Sequence, residues 1–347
     1  MQLAKLGFEV SLFDSSNEIM QLASKNNQNR LHMGLHYPRD LPTAIQSRIG
    51  FSKFIETFPS AVRYDFDNYY ALSKKNSRVS KEEFTKFIVE SGIVVNAIET
   101  PKDLFSLGFE DTKINGLWKC QEGVIDIESL SHTIRGDLES CNVNQYLGTK
   151  VNKLNLVGNK WLLESENDLI DEFDWIVRAT YGQDEIQSNS QNIMSKTYEF
   201  HQTMIMEVSS NYKPFGLTII DGDFLTILPK GFSSNFLIYA PSISIRHKIE
   251  SSTPPKLWQI INEVDQAKFS IQIIDRIKDW IPNFEVLNIL QILQTTRSIK
   301  PNKSKTDERT SDINLTDKNF LDIWSGKIDH CIDIAEKVCK IVSDDKS

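Results

Sequence analysis

Leu3-Ala4-Lys5-Leu6-Gly7-Phe8-Glu9-Val10-Ser11-Leu12-Phe13-Asp14 sets a helix end, a turn and a strand side by side. Leu3 to Gly7 reads as the last turn of a helix stopped by glycine. Phe8 to Phe13 alternates apolar and polar residues, the period of a strand, and Asp14 stands at its carboxyl end. In a dinucleotide-binding βαβ unit, an acidic residue at the end of the second strand bonds a ribose hydroxyl, about 20 residues after a Gly-rich turn. None of the fifteen glycines forms G-x-G-x-x-G. Counting back from Asp14 places that turn ahead of Met1. The expectation is a chain that enters the unit inside its first helix, without the first strand and glycine turn. The simpler alternative is that Asp14 closes an edge strand.

Outward from this stretch comes Asn29-Arg30-Leu31-His32-Met33-Gly34-Leu35-His36-Tyr37-Pro38-Arg39, with two His, two Arg, a Tyr, a Gly and a Pro. Proline ends a helix, and glycine lets another group approach the backbone. The stretch reads as a loop crossing the face of a bound small molecule; an irregular surface loop is the alternative.

The 347 residues suit two domains or one large α/β unit. Hydrophobic residues make up 40% and charged residues 25%, a globular balance. A net charge of −8 without a Lys/Arg-rich run argues against a nucleic-acid partner. No apolar run reaches the roughly 18–20 residues that span a bilayer, and no secretion signal is expected. The four cysteines, Cys120, Cys141, Cys331 and Cys339, have no zinc spacing and read as reduced thiols of a cytoplasmic protein. No metal site is expected.

Further along, Pro42 to Phe58 predicts a helix and Asn68 to Leu72 a strand. Ser80 followed by Glu83 predicts a capping box. A helix is expected from Glu128 to about Ser140, and a hairpin turns at Gly158-Asn159. Phe173 to Gly182 reads as one buried parallel strand, with ligands outside its carboxyl end. From His201 to His247 short strands with turn pairs predict an antiparallel sheet. Lys256 to Ile281 reads as one or two helices, Lys300 to Thr316 as a loop, and Ile328 onward as an amphipathic helix. Trp161, Trp175 and Trp324 read as core.

Four segments in order carry a resemblance: Leu3–Asp14; Asn29–Arg39; Glu122–Asp126 with Val151 and Asp174–Gly182; and Ser325-Gly326-Lys327 before the last helix. The chain resembles the FAD-dependent oxidoreductases of the D-amino-acid-oxidase superfamily. The resemblance implies an α/β fold: an FAD-binding Rossmann-like domain of the glutathione-reductase type, with a mostly antiparallel sheet as substrate domain. The FAD domain would comprise 1–62, 120–185 and 290–347, and the substrate domain 63–119 and 186–289. Asp14 would hold the adenosine ribose. Asn29, Arg30, Leu31 and His32 would line the flavin, Val151 would face the adenine, and Ala179, Thr180 and Gly182 would pack on the dinucleotide. Gly326 and Lys327 would lie at a helix N-terminus by the flavin pyrimidine ring, where free N–H groups favour negative charge. Arg178 and Tyr181 depart from the family pattern, and Tyr181 would crowd the pyrophosphate.

The implied chemistry is hydride transfer from a small amino acid or 2-hydroxy acid to flavin N5. His36 or His32 would take a proton, and either histidine is also placed for a covalent flavin link of the kind some relatives make. Arg39 would clamp a substrate carboxylate, and Tyr70 and Tyr239 would reach the substrate from the sheet. Two alternatives remain: a catalytically impaired homologue kept as a binding or interaction module, and a nicotinamide-dependent dehydrogenase.

Overall fold

The computed structural model describes residues 1–344 apart from 167–169, 183–185, 194–195, 223, 254, 256–262, 302 and 304–305. Its centre is a nine-stranded sheet. Across it lie Ile245–Ser251, Tyr198–Ser209, Phe236–Tyr239, Leu225–Pro229, Phe215–Ile220, Asp67–Ser73, Ile114–Cys120 and Asn96–Ala97, with Asn288–Ile299 also pairing Tyr198–Ser209. The pairings are antiparallel except that Phe215–Ile220 runs parallel to Asp67–Leu72. Residues 290–299 thus pair in this sheet rather than with the small parallel ones.

Both faces of the sheet are covered at its middle, where Asp67–Ser73, Phe215–Ile220 and Leu225–Pro229 are buried at nearly every position. Tyr69, Ala71, Leu217 and Ile219 point to one side, under Phe269, Ile273 and Ile277 of the helix Glu263–Trp280. Their neighbours Tyr70, Leu72 and Ile220 point to the other, against Leu35, Tyr37, Ala44 and Phe84. The period-2 alternation therefore sorts one strand between two cores. The second core brings the Asn29–Arg39 loop down onto the sheet.

The remaining described strands form smaller sheets. Ser11–Asp14 pairs in parallel with Asn144–Leu147. Ile176–Arg178 pairs in parallel with Phe320–Trp324, which takes Asp312–Asp317 on its other edge. Among the described residues, Ser11–Asp14 and Ile176–Arg178 each pair on one side only, and the cleft described below opens between them. Arg30–Leu31 joins Gly123–Ile125 and Val62–Arg63 in a three-stranded sheet.

Local signals act at the positions the sequence shows. Gly7 has φ +85 after the helix Gln2–Lys5. Asp40 accepts from Thr43 N and starts the helix Leu41–Thr57. Ser80 and Glu83 form the capping box of Lys81–Ser91, and Gly92 closes it in the left-handed conformation. Asp126 caps Ile127–Ser140. Gly158, φ +63, turns the hairpin Val151–Val157 and Lys160–Ser165. Trp161 is wholly buried, with its indole N–H on the Lys318 carbonyl at 2.9 Å.

Two expectations are corrected. The single strand Phe173–Gly182 is two: Ile170–Phe173 extends the antiparallel hairpin, and the chain bends at Asp174 before Ile176–Arg178 joins the parallel sheet. Asn319 fixes the bend: its carbonyl accepts from Ile176 N and its side-chain amide donates to the Asp174 carbonyl. The loop expected over Lys300–Thr316 contains the strand Asp312–Asp317. Of the helix expected over Lys256–Ile281, Glu263–Trp280 is present and 256–262 lie outside the described residues. The four cysteines are free thiols. No helix among the described residues is long and apolar enough to cross a membrane.

Candidate functional site

A cleft of about 1890 Å³ lies between the small parallel sheets and the large sheet. Asp14, Asn29, Arg30, His32, His36, Arg39, Val151, Ala179, Thr180, Tyr239, Gly326 and Lys327 all line it. Segments far apart in sequence therefore meet around one space. Leu31, Gly182 and Tyr70 are not among the lining residues. The Leu31 side chain is buried with Phe54 and Phe58. Gly182, φ +78, sits where a Cβ would meet Ser298 Oγ at 2.5 Å. Tyr70, wholly buried, lies behind the wall with its hydroxyl on Glu122 Oε2 at 2.5 Å. It supports the loop from beneath instead of meeting a substrate.

Asp14 ends its strand where expected, and its carboxylate accepts from Ser16 N at 2.8 Å. Val151 opens the hairpin beside it. Tyr181, left-handed at φ +57, stacks on Trp324, which stacks on Tyr198 at 4.8 Å. The ring that was expected to crowd a pyrophosphate is held in this stack. Arg178 is paired with Asp322 at 3.0 Å, and Lys196 reaches the same carboxylate at 2.6 Å.

The cationic part of the cleft is built on the Asn29–Arg39 loop and the Ser325–Lys327 turn. Lys327 Nζ lies 3.1 Å from His32 Nε2 and 4.7 Å from the centre of the Tyr37 ring. The His36 ring packs on Tyr37 and Phe224. The Nδ1 atoms of His32 and His36 are buried without a hydrogen-bond partner among the described residues. Burial first, then the charges of Lys327 and Arg30, holds both imidazoles well below their ordinary pKa, so both are neutral near pH 7. Burial likewise lowers Lys327.

The Ser325–Lys327 turn is pinned by a buried histidine. His330 Nδ1 lies 2.8 Å from Ser311 Oγ and its Nε2 3.1 Å from Ser47 Oγ. Ser311 Oγ also accepts from Gly326 N at 2.7 Å, so Ser311 joins the turn to His330. Burial pushes His330 down to about 3, which keeps it neutral. The Gly326 N–H is therefore engaged within the protein and not open to a ligand, contrary to the expectation for that residue.

Arg39 is corrected as a free clamp: its Nε lies 3.3 Å from Asp221 and its Nη2 3.3 Å from Asp307. The residue that fits the clamp better is Arg297, which the sequence does not single out. It stands on Asn288–Ile299 with its guanidinium 4.6 Å from the Tyr239 ring centre and Nη2 on Asn27 at 2.9 Å. Among the described residues its buried Nε has no hydrogen-bond partner. Its only signal in sequence is an arginine inside the run Thr295-Thr296-Arg297-Ser298. No group of His, Cys, Asp or Glu among the described residues could hold a metal.

No known family profile matches the chain. It is 25% identical over 357 aligned positions to the FAD-dependent monooxygenase FPY4 of Fusarium mangiferae, covering 99% of this chain and 87% of that protein. Its structure superposes on L-proline dehydrogenase from P. horikoshii with a TM-score of 0.69, at 15% identity over 100% of this chain and 90% of that one. It superposes on the FAD-bound L-alpha-glycerophosphate oxidase from Mycoplasma pneumoniae with a TM-score of 0.68, at 14% identity over 93% of this chain and 85% of that one. The chain has their fold. It is the mixed α/β architecture of FAD-binding oxidoreductases, with a sheet rich in antiparallel strands.

Proposed function

We propose that the chain binds FAD in this cleft and oxidises a small amino acid or 2-hydroxy acid. One observation carries the reading. A single cleft joins a strand-end carboxylate, Asp14, to a cationic pocket of Lys327, Arg297 and two neutral imidazoles, roofed by an antiparallel sheet. That donor set fits the group: a carboxylate for a ribose, and cations with unpartnered buried nitrogens for an electron-rich ring and an acid substrate. When bound, a flavin supplies the hydride acceptor for the substrate's α C–H.

The chain's own residues position and neutralise. Lys327, whose pKa burial lowers to about 7, holds its amine beside Tyr37 and His32 and is only partly charged near neutrality. Arg297 offers its guanidinium to a carboxylate, with the Tyr239 ring centre 4.6 Å from it. His36, a neutral cleft-lining imidazole whose buried Nδ1 has no partner among the described residues, takes the proton released from the substrate amine or hydroxyl. A carboxylate held by Arg297 adds the negative charge that raises this imidazole's basicity.

The test is anaerobic mixing of the FAD-loaded protein with a panel of small amino and 2-hydroxy acids. Bleaching of the flavin absorbance by a panel member is the expected result; a flavin that stays oxidised with all of them sinks the substrate assignment. The F. mangiferae relative's name supports a second reading, oxygen insertion. It predicts a hydroxylated product in air, where the first reading predicts the imino or keto acid.

A further inference from the structure

We propose that Glu122 is the positioning residue that fastens the histidine-bearing loop to the large sheet and balances the buried charge beneath it. The inference deepens the flavin reading and rests on it only for the cofactor part of its test. Glu122 is 1% exposed and sits between two structures that must stay in register. Its Oε1 accepts from Met33 N at 2.8 Å, in the middle of the loop. Its Oε2 accepts from Arg30 Nη1 at 3.0 Å and from the Tyr70 hydroxyl at 2.5 Å. Arg30 also donates to Tyr70 and to Thr218 Oγ1, so the guanidinium spans two adjacent strands of the sheet. Gln28 adds a second fastening, donating to the carbonyls of Thr226 and Leu237 at 3.2 and 3.0 Å.

Loops gain no fixed geometry from their own backbone, whereas a buried charged group held by several hydrogen bonds imposes one. Only Leu31 separates Arg30 from His32 in the chain, and the Arg30 charge acts on both cleft histidines. Among the described residues, Lys327 also acts on both, His36 and His330 on His32, and Arg309 and Arg39 on His36. The carboxylate of Glu122 is the counter-charge that Arg30 touches.

Two variants separate this role from simple support. E122Q keeps the side-chain volume but leaves the Arg30 cation uncompensated. R30M/E122Q removes that cation as well. Thermal unfolding and circular dichroism establish that each is folded. The imidazole nitrogen resonances of His32 and His36, followed against pH in the cofactor-free protein, are the main readout. Relative to the parent protein they are expected to titrate at lower pH in E122Q and at higher pH in R30M/E122Q. Opposite signs follow from charge, and a merely structural role would not produce them. Both variants are also expected to lose about tenfold in FAD affinity, through loosening of a loop held by a charge-assisted bond. Folded variants whose histidines titrate as in the parent overturn the proposal. If E122Q does not fold and R30M/E122Q titrates as the parent does, the proposal also fails. Failure of the parent itself to bind FAD counts against the flavin reading alone, because the titration arm needs no cofactor.

Discussion

Gly326→Val is expected to remove FAD binding and to lower stability by about 3 kcal/mol, the upper part of the usual range for overpacking. A Cβ at Gly326 would stand 1.8 Å from the Arg309 carbonyl oxygen and 2.5 Å from its carbon. Those are backbone atoms and cannot rotate away, so the 307–311 segment must move. Arg309 N is tied to Thr43 Oγ1 at 2.9 Å, and Ser311 holds both Gly326 N and His330. Displacing the segment therefore undoes the buried Ser47–His330–Ser311 chain and releases the turn that carries Lys327. The single methyl of Gly326→Ala would meet the same atoms, so that variant is expected to show most of the effect. Denaturant unfolding and a flavin titration check both parts. A stable Gly326→Val protein that binds FAD like the parent would mean that this close approach does not set the site.

Arg297→Met should lower kcat/KM by about 10²-fold, chiefly through KM, for substrates carrying a carboxylate. The same substitution should have little effect on substrates whose acid is replaced by an amide. Arg39→Met, by contrast, should act on stability before substrate binding, because Arg39 is already shared by Asp221 and Asp307. Parallel Michaelis curves for the acid and amide forms decide the assignment. A larger KM effect from Arg39 than from Arg297 would return the clamp to the loop.

Periodicity and caps made most of the elements legible. Ser80 with Glu83, Gly158 and Gly7 each act through local backbone chemistry, which a single sequence displays directly. The split at Asp174 was not legible, because it depends on two different partners, Trp161–Glu164 and Phe320–Asp322, competing for one apolar run. Within the site, the Asn29–Arg39 loop stood out by composition, and most of its polar residues line the cleft. The role of its supports did not: the sequence presents Tyr70 as a substrate contact and Glu122 as part of a motif, not as the groups that hold the loop. Glu122 and Tyr70 matter because the sheet brings residues 52 apart into contact, and nothing in either segment announces the other. Arg39 and Arg297 illustrate the same limit. Sequence shows that an arginine is present, but only packing shows which guanidinium already has its carboxylates.

The most direct measurement is titration of the purified chain with FAD, followed by visible absorbance and by tryptophan fluorescence, since Trp324 stands in the cleft wall. Saturable binding at one FAD per chain is expected, with quenching of the tryptophan signal and loss of both in the Gly326→Val variant. A folded parent protein that neither retains nor takes up FAD would contradict the assignment of this cleft to a flavin.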